Sequence, residues 1–120
     1  MGQSRRNKLF APFYVPTHER IVIIAGRDWR LKSKGASGAG DVWYIPQEAG
    51  TWHPAPFPLA LAIRAIETVM PEFVCDPFSG SGTVARAAKT LGIPYLCNEL
   101  SAEYVARAEQ ELDIVRPAMF

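Results

Sequence analysis

Cysteine is scarce in this chain: Cys75 and Cys97 are the only two. They form no C-x-x-C and show no metal-ligand spacing. Both sit in apolar runs, so they read as buried free thiols in a reducing compartment, not as a disulfide framework. Long hydrophobic runs are lacking too, and nothing approaches the roughly 18 apolar residues of a membrane span. The lead Met1-Gly2-Gln3-Ser4-Arg5-Arg6-Asn7-Lys8 is basic, but no apolar segment or small-residue cleavage site follows it. These absences predict a soluble, cytoplasmic protein with no membrane partner and no metal. Nor is there a surplus of one charge: 13 Lys+Arg stand against 12 Asp+Glu, which excludes a histone-like protein. No repeat of solenoid period is present.

What is present is enough apolar material for a core, 48% of 120 residues, and length for one modest domain. The charges are unevenly spread. Residues 1–40 carry eight basic and two acidic side chains, whereas residues 41–120 carry five basic and ten acidic. That asymmetry suggests two jobs along one chain.

Ile21-Val22-Ile23-Ile24-Ala25 is β-branched and closed by Gly26, which predicts a buried strand. Residues 27–40 are basic and then Gly-rich, and read as a loop. Asp41–Ile45 is strand-like and stops at Pro46. Pro58 stands where a helix begins. Ala62, Ile63, Ile66, Val69 and Met70 then recur at helical spacing up to Pro71. Phe73-Val74-Cys75 predicts a strand ending at Asp76. A helix follows from Thr83 to Leu91, with Gly92 just past its end. Ile93 to Cys97 predicts a second strand. Ser101 is a candidate N-cap for a last helix striped by Val105, Ala108 and Leu112. Helix, strand, helix, strand, helix with so short a crossover means a parallel pair and an α/β fold.

The chemistry concentrates in Asp76-Pro77-Phe78-Ser79-Gly80-Ser81-Gly82-Thr83. In open parallel sheets, ligands sit beyond the carboxyl ends of the strands. Gly80 and Gly82 let a ligand approach the backbone, and the following helix start favours an anion. Asp76 is placed to accept from an amine. Glu99, at the end of the next strand, is placed to hold the two hydroxyls of a ribose. No Lys follows Gly82, so this is not a P-loop. The third glycine of a dinucleotide fingerprint is replaced by Ala85, a tolerated variant. S-adenosylmethionine, with carboxylate, ammonium and ribose but no pyrophosphate, fits better. The bland alternative is a tight turn at Gly80 and Gly82 with Glu99 capping a helix. Thr83 reads as a cap and His18 with Glu19 as a hydrogen-bonding pair.

Asp76–Thr83 resembles the cofactor motif of DNA amino-methyltransferases. His53-Pro54-Ala55-Pro56-Phe57-Pro58, with Leu61 and Arg64, is similar to the second cofactor motif of that family. Asn98-Glu99, with Tyr104 and Ala108, is similar to its ribose motif and the helix after it. Residues 16–23 and 41–46 are similar to segments flanking the target-recognition loop. The order is that of the permuted β class. The resemblance implies a Rossmann-like S-adenosylmethionine-dependent methyltransferase fold, and site-specific methylation of adenine N6 or cytosine N4 in double-stranded DNA, as in restriction–modification. It implies cofactor contacts from His53, Phe57, Asp76, Pro77, Phe78, Ser79, Gly80, Ser81, Gly82, Thr83 and Glu99. It divides the chain into the end of a recognition region, 1–52, and a cofactor-binding αβαβα unit, 53–120. Arg27, Arg30, Lys32 and Lys34, interleaved with Trp29, become candidate phosphate contacts.

One departure is decisive. The family's catalytic tetrapeptide contains Pro-Pro and holds the amino group of a flipped base. This chain has ten prolines and no adjacent pair. In the β class that motif precedes the recognition region. The expectation is therefore the C-terminal half of such an enzyme, with no catalytic residue of its own, needing an N-terminal-half polypeptide for turnover. The competing expectation is a non-catalytic remnant that binds cofactor or DNA. A nucleotide-binding module unrelated to methylation is a third.

Overall fold

A computed structural model describes residues 17–32, 38, 40–48, 52–53 and 56–117. Five elements follow one another: α1 (Leu59–Val69), β1 (Val74–Asp76), α2 (Thr83–Thr90), β2 (Tyr95–Cys97) and α3 (Ala102–Ile114). β1 and β2 pair in parallel, with Val74 opposite Tyr95, Cys75 opposite Leu96 and Asp76 opposite Cys97. The α/β reading and its element order hold.

The helix boundaries follow from local chemistry. Pro58 is the N-cap of α1 but has no side-chain acceptor. Glu48 substitutes from a distance, its Oε1 accepting the Leu59 N–H at 2.8 Å, where a negative charge suits the helix dipole. α1 ends in Met70, a non-glycine residue at φ 46°, and Pro71 prevents continuation. α2 stops at Thr90, one residue earlier than the pattern predicts. Gly92 at φ 68° turns the chain, its N–H reaching the Lys89 carbonyl while the Ile93 N–H reaches that of Ala88. Those two bonds make a Schellman cap. Ser101 caps α3 by accepting the Tyr104 N–H at 3.4 Å.

The core lies between α1, α2 and one sheet face. Ala62, Ile66, Ala87 and Ala88 are buried there, with Leu59, Ile63, Val74, Leu91, Ile93 and Tyr95 packed around them. Alanine dominates, so the helices approach closely and few large side chains are needed between them. Among the described residues no such cover lies on the opposite sheet face. Cys75 is exposed, and Leu96 keeps 60% of its surface in solvent.

Several expectations fail here. Ile21–Ala25 and Asp41–Ile45 are not strands, and Ile24 is 94% exposed. Among the described residues no strand lies beside either run, and an extended segment without a neighbour leaves its backbone groups to water. Phe73 and Ile93 fall outside their strands, because pairing begins at Val74 and Tyr95. Cys75 is not buried and Cys97 is only partly so. His18 and Glu19 are both exposed and do not bond to each other. No helix among the described residues is long and apolar enough to cross a membrane.

Candidate functional site

The loop leaving β1 is built by its own side chains and by the loop beside it. Asp76 Oδ1 accepts the Phe78 N–H at 3.0 Å, an Asx turn that sets the direction of the chain past Pro77. Pairing with the neighbouring strand runs on into the loops. The Asn98 N–H donates to the Asp76 carbonyl, and the Ser79 N–H donates to the Asn98 carbonyl, 2.8 and 2.9 Å. Ser79 Oγ and Asn98 Nδ2 add bonds of 3.2 and 3.3 Å.

Gly80 at φ 52° and Gly82 at φ 75° then carry the turn into α2. Both are constrained from outside as well. A Cβ on Gly80 would stand 3.1 Å from His53 Nε2, and one on Gly82 would stand 3.0 Å from the Cβ of Ala108. The residue at the N-cap of α2 is Gly82, so Thr83 is not the cap. Its buried hydroxyl instead bonds Ser81 Oγ at 3.1 Å and accepts from Arg86 at 3.3 Å.

Glu99 closes the site. Its Oε2 accepts the Gly80 N–H at 2.8 Å and its Oε1 the Ser101 N–H at 2.9 Å. The bond from Ser101, then that from Gly80, holds its carboxyl below the ordinary value; the Leu100 N–H and the nearby His53 imidazole add to this against a smaller opposing effect of burial. Glu99 is therefore ionised at neutral pH, and its oxygens retain acceptor capacity beyond these backbone bonds. On the face shared with Asp76, burial raises the Cys97 thiol, helped by the charge on Asp76 and by Cys75.

The structure thus brings Asp76 through Thr83, Glu99 and His53 together at the carboxyl ends of β1 and β2. Phe78 is 89% exposed at this rim, so it is not a core residue. Phe57 is 42% exposed and stands outside the core cluster. The basic candidates lie elsewhere. Arg27 and Arg30 are exposed, and Arg30 folds back onto the Arg27 and Trp29 carbonyls. Lys32 meets the C-terminal end of α1, its N–H on the Thr68 carbonyl and its Nζ 3.4 Å from that of Met70. That end of α1 leads into the start of β1, opposite the rim at Asp76. Lys34 lies outside the described residues, as do Pro54 and Ala55.

Four residues here escaped the sequence reading as site residues: Trp52, Arg86, Tyr104 and Glu111. Trp52, His53 and Tyr104 form three mutual edge-to-face ring contacts, with centroids 5.1–5.7 Å apart. Glu111 bonds Trp52 Nε1 and pairs with Arg86 at 3.1 Å. The spacing of Tyr104, Ala108 and Glu111 on one helix face was the available signal. A cleft of about 280 Å³ opens beside this cluster, lined by Trp52, Arg107, Gln110, Glu111 and Ile114. It does not include the Asp76–Thr83 loop, which is an open rim.

A family model described as DNA methylase matches residues 4–110. The chain belongs to that family. It is similar to the Type II methyltransferase M2.MboI of Moraxella bovis, 29% identical over 110 residues, 85% of this chain and 40% of the relative. It is similar also to the Type II methyltransferase M.ScaI of Streptomyces caespitosus, 31% identical over 91 residues, 67% of this chain and 30% of the relative. The chain spans less than half the length of these curated relatives.

Proposed function

We propose that this chain is the cofactor-holding part of an S-adenosylmethionine-dependent DNA amino-methyltransferase acting on adenine N6 or cytosine N4. The observation that carries the reading is the ionised Glu99 carboxylate hydrogen-bonded to Gly80 at the tips of two paired parallel strands. The residues fit the cofactor by chemistry. Glu99 accepts a pair of ribose hydroxyls, the Gly80–Gly82 turn admits a ligand close to the backbone, and the exposed Phe78 ring gives an apolar surface beside them. Asp76 accepts from an amine with the oxygen not engaged by Phe78. His53 lines the rim, and Phe57 joins it by the resemblance. S-adenosylmethionine supplies an activated methyl group on its sulfonium, so the protein's task is mainly alignment.

Alignment of the target amine is what this chain does not provide. Its lone pair is delocalised into the base ring, and no Pro-Pro pair is present to hold it. A complementing N-terminal-half polypeptide supplies that element. The uncovered sheet face at Cys75 and Leu96 and the exposed Ile21–Ile24 run support this, since parallel sheets are ordinarily buried on both faces. Residues 1–52 then end the recognition region and 53–120 form the cofactor unit. Arg27 and Arg30 are the DNA phosphate contacts offered by exposure. Lys32 serves α1 first, and Lys34 joins them by sequence position alone.

Calorimetry with S-adenosylmethionine on the full chain tests the site. Glu99→Ala should weaken binding by about 1–3 kcal/mol; equal binding by the variant removes Glu99 from the account. Methylation of double-stranded DNA should appear only when a Pro-Pro-bearing half is added. Cofactor binding with no methylation in that mixture favours the non-catalytic remnant.

A further inference from the structure

Trp52 and His53 precede α1, and neither is in a helix or strand. The imidazole meets Gly80 so closely that a methyl group there would stand 3.1 Å from Nε2. Ring contacts help to hold it there. His53 and Trp52 stack edge-to-face on each other and on Tyr104 of α3. The Arg107 guanidinium lies over the Trp52 ring, 5.2 Å from its centroid. The indole itself is tied by one directional bond, from Nε1 to Glu111 Oε1 at 2.5 Å.

Glu111 is held in turn. Its other oxygen pairs with Arg86 of α2 at 3.1 Å, both side chains being largely shielded from solvent. Arg86 also donates to Thr83, which bonds Ser81. Two paths therefore leave Glu111 and return to the same glycine turn. One runs through Trp52 and His53 to Gly80, the other through Arg86 and Thr83 to Ser81.

We propose that Glu111 is a positioning residue for the candidate cofactor pocket, holding Trp52 so that His53 stays against Gly80, whose N–H orients Glu99. This rests on the reading of that pocket given above. Glu111 touches no ligand in this scheme. A charge-assisted bond in a shielded place has the strength to hold one ring in one orientation, and edge-to-face contacts transmit that orientation to the next ring.

The test uses the full chain and three variants. Glu111→Ala leaves all three rings in place but removes the acceptor. Glu111→Gln keeps an acceptor for Trp52 without the charge. Trp52→Phe keeps a ring but no N–H donor. The imidazole C–H resonances of His53, ring-shifted by Trp52 and Tyr104, are followed by NMR, with exposed His18 as the internal reference. S-adenosylmethionine affinity is measured by calorimetry well below the unfolding temperature. In Glu111→Ala the His53 resonances should move toward those of His18, and affinity should fall about tenfold. Glu111→Gln should recover most of both. Trp52→Phe, which leaves the Arg86 pair intact, should lose affinity by a similar factor, and the double variant should lose little more.

Unmoved His53 resonances in a folded Glu111→Ala overturn the proposal, and so does unchanged affinity in that variant. If Glu111→Ala does not fold, unchanged affinity in Trp52→Phe overturns it equally. Failure of the unaltered chain to bind S-adenosylmethionine is a different result. It removes the cofactor reading, while the His53 resonances still decide whether Glu111 sets the ring.

Discussion

The described parts of residues 17–48 and residues 59–114 both carry apolar runs but are opposite in outcome. The earlier stretch contains the most β-branched run in the chain, Ile21–Ile24, and leaves it in solvent. The later stretch has strands of only three residues, Val74–Asp76 and Tyr95–Cys97, yet they are paired and backed by helices. Hydrophobicity alone does not make an element. A strand needs another strand at its edge, whereas a helix satisfies its own backbone and needs only a face to rest on. The earlier stretch is attached by a few side contacts, Lys32 to the end of α1 and Trp43 beneath the Arg64 guanidinium.

Amide hydrogen exchange should separate the two most widely. Arg86 to Ala88, whose N–H groups bond within α2, should exchange only by global unfolding, and Ile21 to Ala25 almost freely. For a stability of about 5 kcal/mol the contrast is about a thousandfold or more. Similar protection in both would mean that the earlier run is paired in solution, breaking the comparison.

Glycine substitutions sharpen it on a smaller scale. Gly82→Ala puts a methyl at φ 75° and 3.0 Å from the Cβ of Ala108. Left-handed strain and overpacking together should cost about 2–4 kcal/mol in urea unfolding. Gly26→Ala meets nothing within 4 Å and should change stability by less than about 0.5 kcal/mol.

The smallest expected effect is one of pH. The Glu99 carboxyl is lowered in the folded chain by its backbone bonds. Its contribution is therefore full above the unfolded carboxylate value, about 4.3, and is lost as pH falls through the lower folded one. Urea midpoints below pH 4.5 should drop more steeply for the unaltered chain than for Glu99→Gln. Parallel pH profiles would detach Glu99 from the turn.

What could be read in the residues follows the same division. Pro58, Pro71, Gly92 and Ser101 act on their immediate neighbours, so the helix limits were visible to within a residue or two. That the Gly80 turn and Glu99 share one end of the sheet was visible, because strand order alone brings adjacent loops together; the bond between them was not. The strands at 21–25 and 41–45 were misread, because their fate depends on a neighbour that local pattern cannot supply. Exposed Cys75 was misread for the same reason, since burial of its face depends on a covering layer. The Trp52–Glu111 contact spans 59 residues and the Arg86–Glu111 pair 25, and no local rule links such positions.

The seating of Gly82 on Ala108 has a consequence for how any ligand is admitted. The turn is fastened to Asn98 on one flank and wedged on the last helix at the other. Held from two sides, the turn offers a shape already formed. In the proposed cofactor site, fit to that shape would decide which ligand is admitted.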